Sequence, residues 1–321
     1  GVAALAGARK VCLRGCRRVT NRGVCALAGV QCIDLVGLPH ITDAGVCALA
    51  GVRSINLSKA ESVTDAGVCA LAGADTVLLS QCMRVTWRGV AALAGVSTVD
   101  LSFTSVGDQA LQHLRHVHSI CLVGCNNITD VGVKSLAGLH TIVLSHCRGV
   151  TDEGVRALSG VHTIELAHCG ITDRALMKIA GAHTVNLNQC QGITETGIKA
   201  LAGVHAIHLS GCLHNVTDEC LQALAGVHTI DLSHCTRITD RGLCALAGVH
   251  TVDLTGCSNI TDRGLQALTG VHTVKASACP HVTPTTLAAV QQSGSPVAVR
   301  AHAGDDDITT LTSQAWHRMF R

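Results

Sequence analysis

There is no tyrosine in this 321-residue chain, and there are only two tryptophans and two phenylalanines. A chain that is 47% hydrophobic but 1% aromatic must build its core from Val, Ile, Leu, Ala and Cys. It also lacks the Trp and Tyr clusters that usually anchor protein interfaces. No charge of one sign dominates: 24 basic residues stand against 22 acidic ones, for a net +2 with the signs interspersed. That balance argues against a dedicated nucleic-acid binder. No apolar run approaches the roughly 18 residues of a membrane span, and no signal peptide is recognisable, so no membrane association is expected. No CxxC pair has zinc-site spacing. No glycine loop is shaped for phosphate either, because the glycines recur once per repeat, as caps.

What the chain has instead is repetition. The stretch GVHTIDLSHCTRITDRGLCALAGVHTVDLTGC, residues 226–257, contains one phrase twice. Aligning on it gives the anchors Leu13, Leu35, Leu57, Leu79, Leu101, Leu122, Leu144, Leu166, Leu187, Leu209, Leu232, Leu254, Ala276 and Val299. Most steps are 22 residues, and the rest are 21 or 23. Fourteen copies make residues 1–302 one array rather than the two domains that length alone suggests. GVAALAG at residue 1 matches the interior of the later GLCALAG, so the expected array begins upstream of Gly1.

Residues 227–248 show how one copy is expected to fold. Val227, Ile230 and Leu232 alternate with Thr229, Asp231 and Ser233, which describes a short strand with one dry face. ITDRGLCALAG then reads as a two-turn helix. Thr239 is its N-cap, Asp240 sits at the positive end of the dipole, Ile238 and Leu243 form a hydrophobic staple, and Gly248 is a left-handed C-cap. The Thr cap recurs in twelve copies, and Pro284 occupies the first helical position of a late one. A lone copy buries too little to offset its ordering entropy, so copies must stack into a solenoid. The expected fold is α/β: a curved stack of about 14 units, with parallel strands on the inner face and short helices on the outer.

The pattern L-x-x-L-x-L-x-x-C, with Val or Ile often replacing Leu, resembles the leucine-rich repeat. The Cys followed by xxITDxG is similar to the cysteine-containing subclass, the substrate-binding half of F-box proteins in cullin-type ubiquitin ligases. The match runs from residue 1 to about 290. The repeats are a few residues shorter than is usual in that family, and this chain carries no F-box. The resemblance implies a non-catalytic protein-recognition scaffold with protein partners.

Ten of the eighteen cysteines are the repeat cysteine, from Cys16 through Cys125, Cys147 and Cys235 to Cys279. Stacked copies point their Cβ atoms in parallel, the wrong geometry for disulfides, so these read as buried turn-forming thiols. Many unpaired thiols imply a reducing, intracellular compartment. Cys25, Cys47 and Cys69 follow the core Val of three successive helices and are expected at the surface. His118, His140, His162, His183, His205, His228, His250 and His272 hold one position in eight consecutive copies. They are expected to stack edge to edge at the head of the strands. A metal- or pH-responsive scaffold is the alternative function they suggest, although no cofactor or metal ligand set is assigned. Ser145, Ser210 and Ser233 have histidines nearby but recur with the repeat, and a catalytic constellation should be unique. No enzyme is expected.

Function is expected where the copies differ, on the outward strand positions. Leu78, Cys121, Val123 and Val143, with Phe103 beside them, form an expected apolar window, and Asp231 and Asp253 a small acidic patch. The copy FTSVGDQALQHLRHV is irregular: Thr104 replaces the cysteine, Gly107 the cap threonine and His116 the glycine. Phe103 there either faces outward or tucks in to fill the shortened loop. Residues 303–321, with Ile308, Leu311, Trp316, Met319 and Phe320, read as a capping segment or a docking peptide. A monomer that binds protein partners is expected.

Overall fold

The computed structural model describes residues 1–293. The anchor Val299 and the segment 303–321 lie outside the described residues. Within them, thirteen three-residue strands follow in chain order, the first Lys10–Cys12 and the last Thr273–Lys275. Each is joined to the next through a turn, a short helix and a second turn. The described residues fall into two compact units, 1–149 and from Val150 onward. In each, successive strands pair in parallel, residue for residue: Val11 with Ile33 in the first, Ile230 with Val252 in the second. This is a leucine-rich-repeat α/β fold.

The alternation reads as expected at the core. Val227, Ile230 and Leu232 are buried, while Thr229, Asp231 and Ser233 are half-buried on the opposite face. Cys235, Ile238, Leu243 and Leu246 complete one layer of aliphatic core, and a similar layer recurs from copy to copy, with Leu38, Ala60 or Thr104 in the cysteine's place in three of them.

The two-turn helix is corrected. The α-helices between strands have four to six residues, as in Asp240–Leu243, followed by a tighter turn such as Cys244–Leu246. Elsewhere the tightening shows as bonds three residues apart, Leu49 N to Val46 O and Val52 N to Leu49 O. A 22-residue period leaves room for one α turn before the chain must return to the sheet. The left-handed glycine after the helix is present in most copies, for example Gly226 at φ +88° and Gly270 at φ +95°. Gly248 is an exception: its backbone is not left-handed.

The TDxG motif does more than cap helices. Asp43 Oδ1 accepts the backbone N–H of Thr64 at 2.7 Å, and its Oδ2 accepts the Thr64 hydroxyl at 2.7 Å. Asp43 Oδ1 also accepts the Gly67 N–H at 3.1 Å. A methyl group at Gly67 would stand 2.6 Å from that oxygen, which favours glycine two residues after the aspartate in many copies, although Ala110, Ala175 and Cys220 stand there in others. The same Asp-to-Thr clamp joins 65 to 86, 108 to 129, 152 to 172, 173 to 194, 218 to 239, 240 to 261 and 262 to 283. The Thr283 backbone amide, then the Thr283 and Thr286 hydroxyls, hold the Asp262 carboxyl below its ordinary range against a smaller desolvation effect. The clamp is interrupted where Trp87 replaces the aspartate and Gly107 the threonine.

A second column lies two residues past each anchor. Every one of these positions is left-handed: five are glycines, among them Gly124, and eight are not, among them Phe103, His146, Gln189 and His234. A non-glycine there costs about 1 kcal/mol or more, and the side chain lies over the following repeat. The Phe103 ring packs where a Gly124 methyl would be, 2.7 Å from it, so Gly124 is required by both φ and space.

Candidate functional site

The outward row one residue before the anchors holds the residues expected to bind. Its backbone setting explains its composition. Where the row carries Asp or Asn, the side chain accepts the amide two residues on: Val36 N to Asp34, Ser58 N to Asn56, Ser102 N to Asp100, Asn188 N to Asn186, Ser233 N to Asp231 and Thr255 N to Asp253, all at 2.9–3.0 Å. These are Asx turns that bend the chain off the strand. Part of the apparent variability is therefore a choice between a braced and an unbraced turn.

The apolar window is corrected. Leu78, Cys121 and Val143 are 3–4% exposed, and Val123 is fully buried. Cys121, Val123 and Val143 form one packed cluster instead of an open surface. In-register neighbours press these side chains from both sides, Leu78 and Cys121 flanking Asp100. Burial pushes the Asp100 carboxyl above its ordinary range, against hydrogen bonds from Ser102 and Cys121. Phe103 alone of the five is exposed, at 37%. Thr104, in the place of the repeat cysteine, is buried and bonds its hydroxyl to Leu101 O at 2.6 Å.

In the second unit Glu165 is still buried, and the row opens from Asn186 onward. Asn186, His208, Asp231, Asp253 and Lys275 are in-register neighbours on five strands. His208 Nδ1 lies 3.8 Å from Asp231, and Lys275 Nζ lies 3.3 Å from Asp253. Asp231 and Asp253 therefore form the centre of a charge row flanked by a histidine and a lysine, and are not a bare acidic patch. Burial opposes ionisation of Asp231, but hydrogen bonds from His208 and from the Ser233 backbone and hydroxyl outweigh it and hold its carboxyl below the ordinary range. Sequence reading passed over His208 and Lys275 as partners, although their shared register position was the signal.

The repeat cysteines have a common task. Each buried thiol donates to the anchor carbonyl of the preceding repeat, as Cys82 to Leu57 O at 3.1 Å and Cys190 to Leu166 O at 3.1 Å. Burial pushes the Cys82 thiol up to about 11 and Cys190 up to about 12, so both stay protonated donors. Cys16, with no preceding anchor carbonyl in the chain, is exposed. Cys25, Cys47 and Cys69 are exposed as expected.

The histidines stack face to face, correcting the edge-to-edge expectation. His118 and His140 are 4.4 Å apart between centroids, and the rings from His162 to His272 follow at 4.3–4.5 Å with planes within 11–27°. One residue per parallel strand sets this pitch.

Against known proteins, a leucine-rich-repeat family model matches residues 110–137, 139–159, 161–180, 227–247 and 249–268. A comparison with curated proteins finds no match. Among solved structures, a chain of the Rad7 and Elc1 complex in yeast is similar, with TM-score 0.63 and 16% identity over 80% of this chain and 78% of that one. An internalin from Listeria monocytogenes matches with TM-score 0.59 and 15% identity over 86% of this chain and 88% of that one. A chain of the Drosophila Toll–Spatzle complex matches with TM-score 0.59 and 10% identity over 85% of this chain and 40% of that one. At such identities the likeness is one of fold. With the repeat matches, it shows a leucine-rich-repeat fold, in which the thiol-to-anchor bonds recur from copy to copy. Among the described residues, no helix is long and apolar enough to cross a membrane.

Proposed function

We propose that the chain is a non-catalytic protein-recognition scaffold that receives its partner on the open strand face of residues 184–275. The row Asn186, His208, Asp231, Asp253 and Lys275 carries this reading: it is polar, half-buried to exposed, and ordered by its own turns and ion pairs before any partner arrives. Preorganised polar groups favour specificity over raw affinity. In residues 1–149 the accessible part of the candidate surface is Phe103, with Leu78, Cys121, Val123 and Val143 as the packed layer on its strand face. Two of the similar folds come from complexes with a second protein, Rad7 and Elc1 and Toll–Spatzle, which supports the same use here. The finer reading is the substrate-binding part of an F-box-type ubiquitin ligase. The xxITDxG repeats and the fold likeness to the Rad7 and Elc1 complex support it. Eighteen free cysteines support an intracellular, reducing location, and the chain is expected to act as a monomer.

The experiment uses Asp231→Asn with Asp253→Asn. Asparagine keeps the oxygen that accepts the Ser233 and Thr255 amides and removes the charge, so the turns should survive. A partner isolated by crosslinking to the full chain should bind the double variant about tenfold more weakly, a loss near 1.4 kcal/mol, with an unchanged Tm. Equal binding overturns this placement of the site. Failure of any ubiquitin-ligase subunit to co-purify with the full chain removes the ligase reading and leaves the scaffold.

A further inference from the structure

His162, His183, His205, His228, His250 and His272 form a continuous stack in the second unit, with centroids 4.3–4.5 Å apart. The first five are exposed and His272 is half-buried. Stacking occupies the faces between neighbouring rings. Nδ1 is taken by the hydroxyl of the next residue at 3.1–3.3 Å in His162, His183, His228 and His250. What His183, His228 and His250 then present to a ligand is the edge carrying Nε2.

A metal ion does not fit this row. Zinc draws imidazole nitrogens to about 2.0–2.1 Å with their lone pairs converging. Near-parallel rings more than 4 Å apart send those lone pairs out side by side. An anion does fit. Each Nε2–H donates outward, and each protonated ring adds a charge. No Lys or Arg interrupts the row in the second unit, so its charge is set entirely by protonation.

We propose that this row is a proton-gated docking rail for an acidic peptide segment. Nucleic acid would need fixed cations to hold its phosphates, and the row has none. Carboxylates on flexible stems can settle between adjacent rings, where they relieve the repulsion that the pitch imposes. The groups facing the rail are the flanking rings and the hydroxyls of Thr163, Thr184, Thr229 and Thr251. Desolvation by the stack, then repulsion from His205 and His162, lowers the His183 pKa. The same two causes, with His272 and His228 as neighbours, lower that of His250. His183 and His250 are therefore neutral above the ordinary histidine value of about 6.5. Below it, adjacent charges on the rail oppose one another. A bound carboxylate favours the protonated rings, so binding must take up protons. None of this depends on the strand-face site proposed above.

The test is fluorescence anisotropy of a rhodamine-labelled oligoglutamate peptide with the full chain at about pH 7.5 and about pH 5.5, on either side of the unperturbed histidine value. Binding should be at least about tenfold tighter at the lower pH and should weaken with added salt. His205→Gln with His228→Gln, which breaks the stack at its middle, should remove the gain, while His281→Gln, at an exposed histidine off the rail and off the strand-face row, should not. Calorimetry of the unaltered chain in two buffers of different ionisation enthalpy should show proton uptake, a readout independent of any variant. Equal affinity at the two pH values, zero proton uptake, or a gain that survives in the double variant would each overturn the proposal.

Discussion

Residues 1–149 and 150–293 are written in the same repeat, yet they use it differently. In the first unit the outward row, past an exposed Cys12, is closed: Asp34, Asn56, Leu78, Asp100, Cys121 and Val143 are all 3–7% exposed. In the second, Glu165 is closed as well, at 6%, and the row opens beyond it, with Asp231 and Asp253 side chains 23% and 22% exposed and Lys275 62% exposed. At the head of the strands, the first unit mixes Arg9, Gln31, Arg53, Asp75, Ser97, His118 and His140, while the second has only histidine. The clamp breaks at Trp87 and Gly107 in the first unit, and it weakens in the second, where Glu195 replaces the aspartate and meets the Thr217 hydroxyl at 3.5 Å. The backbone template tolerates all of this because the inward positions stay Leu, Ile, Val or Cys in nearly every copy, with Thr104 an exception that satisfies its hydroxyl on Leu101 O. Function can vary on the outer positions without renegotiating the core.

The largest expected effect tests whether the outward row really differs between units. Val143→Asp should cost about 3 kcal/mol or more, approaching Ile142→Asp, because both place a carboxylate in a closed apolar layer. His208→Gln and Lys275→Gln, on the same row in the second unit, should stay within about 0.5 kcal/mol. Urea titration of the four variants decides it, and a Val143→Asp protein as stable as the His208 variant would mean the row is open in both units.

Next come the glycines. Gly124→Val should be the worst, since it opposes a φ of +66° and meets the Phe103 ring. Gly226→Val, at φ +88° with open space, should cost roughly 1–2 kcal/mol. Gly248→Val should cost least, because nothing lies within 4 Å and its φ is ordinary. Midpoints in guanidinium that ranked Gly248 first would contradict the backbone described here.

The clamp offers a gain rather than a loss. Trp87→Asp with Gly107→Thr restores the missing contact and should stabilise by about 1 kcal/mol. That gain is offset in part by losing the Trp87 stack on His113 at 6.2 Å. A rise in Tm of the double variant, absent in either single change, is the expected signature.

The smallest effect concerns pH. His183 and His250 have lowered pKa values when folded, so the unfolded chain binds more protons. Stability should be full above the unfolded value of about 6.5 and should decline as pH falls through it. A Tm that stays level from about pH 7.5 to 5.5 would contradict this. His183→Gln with His250→Gln should flatten the slope.

Periodicity and alternation were legible in the sequence, because each is a statement about neighbours along the chain. The inward Ile230, Leu232 and Cys235 followed from the spacing alone. The Asp43–Thr64 clamp did not, because it joins residues 21 apart whose meeting depends on how one repeat seats on the next. The left-handed column was hidden by its eight non-glycine occupants, where stacking overrides local preference. The closure of Leu78 and Val143 was missed for a related reason: alternation tells which way a side chain points, not how closely its neighbours on adjacent strands press upon it.

The clamp also has a direction. Every aspartate reaches toward the C-terminus, and the threonine it grips belongs to the repeat made after it. On a ribosome, each finished repeat would expose a carboxylate before the next one has left the exit tunnel. The acceptor waits for the donor, and assembly proceeds like a zip drawn from the amino end. Thr283 is gripped by Asp262, but the residue after it is Pro284, which has no carboxylate to pass on. The helix Pro284–Ser293 is tied on by other means, with Gln291 Nε2 donating to Val274 O at 2.9 Å and Ser293 Oγ accepting the Gly270 amide at 3.1 Å.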